Sequence, residues 1–245
     1  MSAKLDGQKT PILVMPLRKR STAAARPSSQ SRVSGWLAAA ERPYCWAFLL
    51  VNLIASVCAS TYLPTAGWMA CAALALAVAE ASTSLFHYWG DKRVFVRWPL
   101  FCYYDRAYAR HHHDPQDIVA SGAMGYAQWV GDVALLPICA PPWFYLLLGA
   151  PKESMVLTAL ACTFLWVCTF IGVAADTHRL AHCAPEDVPY PFRLLQRCGL
   201  LLSPDSHDKH HRLVRQSGRL GYFSVITGWS NRVQDWLGLG PVSSI

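Results

Sequence analysis

The segment MVLTALACTFLWVCTFIGVAA, residues 155–175, carries no charged side chain, and the stretch THRLAH follows it at residues 177–182. A helix needs about 20 apolar residues to cross the hydrocarbon core of a bilayer, and this segment has that length. His178 and His182 are four residues apart, so a helix projects both rings from one face. The combination predicts a membrane-spanning helix with a metal-binding pair of imidazoles at its end.

Three further apolar runs precede this segment, at residues 44–63, 66–88 and 129–150. The third is the weakest because it contains Asp132, Pro141 and Pro142. The chain is 53% hydrophobic and only 15% charged, whereas about a quarter of the residues in soluble domains are charged. We predict an all-α integral membrane protein with about four transmembrane helices. Two spans with re-entrant third and fourth runs, or a soluble helical bundle, are the alternatives.

Four spans would put every Lys and Arg except Lys152 on one side of the membrane, out of 22 in the chain. This asymmetry predicts a cytoplasmic or stromal face, and all nine histidines lie on the same face. Residues 1–40 are predicted to be a basic tail, either disordered or a transit peptide, and residues 41–240 a membrane domain. Six of the nine cysteines lie in apolar runs and are expected to be buried thiols: Cys45, Cys58, Cys71, Cys139, Cys162 and Cys168.

The histidines fall into four clusters with helical spacing. His87 lies seven residues after Glu80 and four before Asp91, and HHHDP begins at His111. HRLAH begins at His178 and HDKHH at His207. One such pair is weak support for a metal site, but four clusters on one face are specific. With Asp114 or Asp176 as further candidates, the donors suffice for two ions, and imidazole suits iron, copper and zinc alike.

Five stretches, in order, resemble the Kua/CarF/plasmanylethanolamine desaturase family of membrane lipid desaturases, which also includes a plant plastid phosphatidylglycerol trans-desaturase. They are EASTSLFHYWGD from Glu80, HHHDP from His111, THRLAH from Thr177, LLQRCGLLLSPDSHDKHH from Leu194 and YFSVITGWSN from Tyr222. The resemblance implies an oxygen-dependent desaturase with two irons. It also implies an electron donor of the cytochrome b5 or ferredoxin type.

The resemblance carries a set of metal ligands onto this chain: His87, His111, His112, His178, His182, His207, His210, His211, Glu80 and Asp91. His113 has no counterpart in the family and is ranked below its neighbours. Ser206 and Ser121 stand where the animal enzyme has histidines, so the resemblance leaves open whether the substrate is an ether lipid or an acyl lipid.

Several of these residues also have simpler interpretations. Glu80 is equally well explained as a buried hydrogen-bond partner, and Asp91 as a residue that ends its helix. The tryptophans at 89, 98 and 229 are expected to be interface anchors. The stretch ITGWSN is expected to form a packed turn, unless Asn231 touches the metal site.

We therefore predict a membrane lipid desaturase whose substrate is an ether lipid or a phospholipid acyl chain. The endoplasmic reticulum, a bacterial inner membrane and a plastid membrane are all compatible locations, and no nucleic-acid partner is expected. Basic loop residues are predicted to attract lipid headgroups and an acidic electron donor: Lys92, Arg93, Arg106, Arg110, Arg212 and Arg215. A membrane metal hydrolase or hydroxylase, and a non-enzymatic haem or metal-binding membrane protein, are the alternative functions.

Overall fold

The computed structural model describes residues 29–98, 101–122, 124, 128–149, 154–217 and 220–240. Its α-helices are α1 (Ser29–Ser60), α2 (Thr65–Asp91), α3 (Cys102–His113), α4 (Gln116–Ser121), α5 (Gln128–Leu147), α6 (Met155–Gly172), α7 (Ala174–His182), α8 (Tyr190–Arg197), α9 (Pro204–Ser217) and α10 (Trp229–Trp236). A 3-10 turn covers Val94–Arg97. Within these ranges all regular secondary structure is helical, as predicted. Residues 1–28 of the predicted tail lie outside the described residues, whereas residues 29–40 form the start of α1.

Three helical segments are long and apolar enough to cross a membrane: Arg42–Ser60, Thr65–Asp91 and Met155–His182. The fourth predicted span corresponds to α5, within which Gly131–Leu147 is a shorter apolar part. Asp132 lies inside this part and accepts a hydrogen bond from Gln128 Nε2 at 2.7 Å. Apolar side chains on these helices, such as Leu50, Leu74 and Leu160, are exposed, as expected of helices that cross a bilayer.

Helix α6 is the centre of the bundle and packs against α1, α2 and α5. The core around it contains Leu165, Cys162 and Cys168, all fully buried. The cysteine prediction is confirmed for five of the six thiols, whereas Cys58 is exposed. All nine cysteines are free thiols.

Hydrogen bonds between helices add to this packing. Ser56 Oγ lies 3.1 Å from Thr169 Oγ1, and Trp166 Nε1 donates to Ser60 Oγ at 3.2 Å; both bonds join α1 to α6. Such bonds are worth about 0.6 kcal/mol each in membrane proteins. They fix which faces of the apolar helices meet, which hydrocarbon packing alone specifies poorly.

The end of α2 is tied to α3 by an ion pair whose acidic partner is buried. Arg93 adopts a left-handed backbone conformation with φ of 56°, which turns the chain sharply after α2. Its Nη2 lies 2.7 Å from Oδ2 of the fully buried Asp105. Gly90 packs against the ring of Tyr108, and a Cβ there would lie only 2.9 Å from Tyr108 Cδ1. Glycine therefore allows α3 to approach the last turn of α2.

Candidate metal centre

Eight of the nine histidines converge in two groups, and helices α2, α3, α7 and α9 supply them. The nitrogens of the first group lie within 4.8 Å of one another; it comprises His111, His178, His182, His207 and His211. The second group meets the same limit and comprises His87, His112 and His210. His113 belongs to neither group and is exposed, in line with its lower predicted rank.

Helical geometry divides the histidines between the groups. Consecutive residues on an α-helix point about 100° apart, whereas residues four apart lie on one face. His178 and His182 therefore belong to one group, and so do His207 and His211. The adjacent pairs His111–His112 and His210–His211 are split between the groups. The two groups are neighbours, because the ring centroids of His87 and His178 are only 6.0 Å apart.

Asp91 approaches all three members of the second group. Its Oδ1 lies 2.8 Å from His112 Nε2, and its Oδ2 lies 3.6 Å from His87 Nδ1 and 3.9 Å from His210 Nε2. A carboxylate beside histidines can bind the same metal or orient the rings. Asp91 is thus placed for either role. Its interpretation as a residue that only ends α2 does not account for these three contacts.

His111 of α3 and the three histidines of α9 are buried in a form suited to metal binding. Burial lowers the pKa of His207 and of His210 well below the ordinary value, and neighbouring histidines lower both further. Burial likewise lowers the pKa of His111 strongly and that of His211 to about 2. These rings are therefore neutral at physiological pH, and neutral imidazole is the form that coordinates metals.

The spacing of the nitrogens fits metal ligation. His207 Nε2 lies 2.8 Å from His178 Nε2 and 3.0 Å from His211 Nε2. Two nitrogens about 2.1 Å from one ion and at right angles to each other are about 3.0 Å apart. Among the described residues, no hydrogen-bond partner reaches either ring nitrogen of His210. Because buried polar atoms without partners are costly, the donor set fits a pair of first-row metal ions.

Two aromatic side chains outside the predicted ligand set cover the second group. Phe223 stacks on His210 with ring centroids 4.3 Å apart, and Tyr108 meets the His87 ring edge-on at 4.9 Å. Phe223 belongs to a buried segment, residues 221–227. Thr177 Oγ1 holds this segment by donating to Val225 O at 2.6 Å.

Glu80 is buried in a hydroxyl network and belongs to neither histidine group. Its Oε2 accepts hydrogen bonds from Ser230 Oγ at 2.6 Å and from Ser224 Oγ. Asn231 supports the network, because its side chain bonds to both the N–H and the carbonyl of Ser224. These contacts agree with a structural role for Glu80, and its role as a metal ligand stays a prediction. The stretch ITGWSN is only in part the expected packed turn: Ile226 and Thr227 are buried outside regular structure, whereas its last three residues begin α10.

The remaining acidic candidates make other contacts. Asp176 pairs with Arg179 at 3.2 Å, and Asp114 Oδ1 accepts from the Gln116 N–H at 3.3 Å. Three of the basic residues predicted to attract partners already face acids of this chain: Arg93 with Asp105, Arg110 with Asp117, and Arg212 with Asp208. The tryptophans at 89, 98 and 229 are exposed, and their role as interface anchors stays a prediction.

A cavity of about 330 Å³ leads from the membrane helices to the histidines. Its walls are mostly apolar and come from α2 to α7. His87 and His178, one from each histidine group, line it together with Thr83 and Tyr108. The volume lies at the lower end of the range for small-molecule sites. The arrangement can hold an apolar chain beside two metal positions.

Comparison with known proteins identifies the family. A family model described as a lipid desaturase domain matches residues 44–239, which include both histidine groups and the cavity. No curated protein matches the chain, and no solved structure matches it. Because the match covers most of the chain, this protein belongs to the lipid desaturase domain family.

Proposed function

We propose that this protein is an oxygen-dependent desaturase of a membrane lipid and that its two histidine groups hold two irons. One observation carries the proposal: both groups, through His178 and His87, line one apolar cavity within the bundle. A zinc hydrolase would need a polar bond beside its metal, whereas this cavity presents the histidines to hydrocarbon.

The reaction removes two hydrogens from adjacent carbons of a lipid chain. Dioxygen is reduced to two waters, so two further electrons and two protons come from outside. The irons, when bound, supply the reductive activation of dioxygen that an unactivated C–H bond requires. An external donor of the cytochrome b5 or ferredoxin type supplies the electrons.

The residues of the chain would bind the metals, orient their ligands and keep water out of the site. His111, His178, His182, His207 and His211 would hold one iron. His87, His112 and His210 would hold the other, with Asp91 as a ligand or an orienting carboxylate. Phe223 and Tyr108 cover the second group with aromatic surface, which keeps water away from the imidazoles. The apolar wall of the cavity places the chain so that its carbons, and not bulk water, adjoin the metal positions.

Within the desaturase family, the motifs from Glu80 to Asn231 favour the Kua/CarF/plasmanylethanolamine desaturase branch. The substrate is then the alkyl chain of a plasmanyl ether lipid or an acyl chain of a phospholipid. The distribution of Lys and Arg favours a multi-pass protein with its histidines on the cytoplasmic or stromal side. Expression in cells that lack plasmalogens separates the two substrates, because only the first produces acid-labile vinyl ethers.

Metal and product analysis of purified protein tests the proposal. His207→Ala and His210→Ala alter different groups, so each is expected to lose about half of the iron and nearly all desaturation. His113→Ala is the matched control and is expected to retain both, because this side chain is exposed. The product should be lighter than the lipid by two hydrogens. Desaturation by protein stripped of iron, or a product that has gained oxygen, would overturn the proposal.

A further inference from the structure

The cavity is a groove between two helices that flank α6. Helix α2 packs against α6, and helix α5 packs against α1 and α6. Helices α2 and α5 make few contacts with each other. The groove walls carry Val78 and Ser82 from α2, and Gly131 and Ile138 from α5. Phe164 of α6 forms part of its floor. The gap between α2 and α5 therefore faces sideways, in the plane of the membrane.

Exposure changes along the groove. At the outer end, Val78, Ile138 and Phe164 are 42%, 41% and 44% exposed. At the inner end, His87 and His178 are buried. The groove is thus closed at the histidines and open where the spanning helices present apolar surface to lipid. This opening is continuous with the lipid-exposed faces of the bundle, so hydrocarbon is the material that meets it.

The length of the groove can be compared with a lipid chain. Val78 precedes His87 by nine residues, which corresponds to about 13 Å of helix at 1.5 Å per residue. An extended chain with C–C bonds of about 1.5 Å and angles near 111° advances about 1.25 Å per carbon. The groove therefore holds roughly ten carbons between its outer end and the histidines. Membrane lipids with longer chains would extend beyond the outer end.

We propose that the substrate chain enters this groove sideways from the bilayer, between α2 and α5. The inference rests on the proposed function and adds the route of the substrate.

Gly131 provides a direct way to block the route. A Cβ at this position meets no heavy atom within 4 Å, although the residue lines the groove. A leucine there should extend into the groove, because its Cβ has open space around it. Ala73→Leu is the matched control, because Ala73 is exposed on α2 and is not part of the groove wall.

Photo-crosslinking tests the route without any need for activity. Metal-free protein is placed in phosphatidylethanolamine or phosphatidylglycerol vesicles that contain a lipid with a mid-chain diazirine. Crosslinks are expected at buried groove residues such as Thr83, Ala107 and Tyr108. Gly131→Leu should reduce the yield of these crosslinks about tenfold, which corresponds to a loss of roughly 1.4 kcal/mol in lipid binding. Ala73→Leu should leave the yield unchanged.

Activity separates this inference from the proposed function. If wild-type protein with iron desaturates lipid and Gly131→Leu does so equally well, the sideways route is wrong and the proposed function stands. If wild-type protein crosslinks in the groove but does not desaturate lipid, the route is supported and the proposed function is wrong. Crosslinks confined to the outer faces of α1, α2 and α6 would also overturn the route.

Discussion

Replacing Ser230 with alanine removes one hydroxyl from the buried carboxylate of Glu80. Ser230 Oγ lies 2.6 Å from Glu80 Oε2, and Ser224 Oγ donates to the same oxygen. A hydrogen bond to a charged group contributes about 1.5–3 kcal/mol to stability. For a chain of this size each kcal/mol shifts the melting temperature by about 2–4 °C, so Ser230→Ala should lower it by roughly 3–12 °C.

Thermal unfolding in detergent micelles measures this change. Ser82→Ala is the control, because Ser82 lies two residues from Glu80 and on a different face of α2. Glu80→Gln keeps an acceptor oxygen but removes the negative charge, so it should weaken the bond from Ser230. In that background the effect of Ser230→Ala should fall to about 1 kcal/mol, the usual value for a neutral hydrogen bond.

The same variants decide between the two roles of Glu80. If Glu80 is a structural acceptor, the Glu80→Gln variant should retain the iron content of the wild-type protein. If Glu80 is a metal ligand, the same variant should contain less iron. If Ser230→Ala unfolds at the same temperature as the wild-type protein, the hydroxyl network does not stabilise the fold, and the argument from burial is refuted.

Three further predictions concern the packing and charge of the site. Gly90→Ala should cost about 1–3 kcal/mol of stability by forcing Tyr108 aside, whereas Gly131→Ala, which meets open space, should be neutral in the same thermal unfolding assay. Asp91→Asn should reduce iron content, measured by metal analysis, because it removes the carboxylate charge beside three histidines. Metal-free protein should lose stability as pH falls below about 6.5, because unfolded imidazoles take up protons there while burial keeps the pKa of folded His207, His210 and His211 low. Denaturant titrations between pH 7 and 5 should show a loss of up to about 1.4 kcal/mol of unfolding free energy per pH unit for each such histidine. An unfolding free energy that does not change with pH would contradict the burial of neutral rings.

The membrane-spanning helices and the histidine-bearing helix faces follow from local sequence. An uncharged run of bilayer length, such as residues 155–175, predicts a span because each residue contributes its transfer free energy independently. The spacing of His178 and His182 predicts a shared face because helical periodicity is a property of one segment. The run at residues 129–150 predicts its helix less clearly, because it contains Asp132 and three prolines that α5 nevertheless accommodates.

Tertiary packing decided how those local features combine. The division of His111 from His112, and of His210 from His211, depends on how α3 and α9 are rotated against their neighbours. The position of Phe223 over His210 depends on contacts between segments that are distant in the chain. The sideways groove exists because α2 and α5 both pack on the bundle but leave a gap between them. Sequence alone predicted helices apolar enough to span a membrane and imidazoles on shared helix faces. The rotation and packing of the helices brought those imidazoles into two groups beside an apolar groove, because that arrangement depends on long-range contacts that no local pattern encodes.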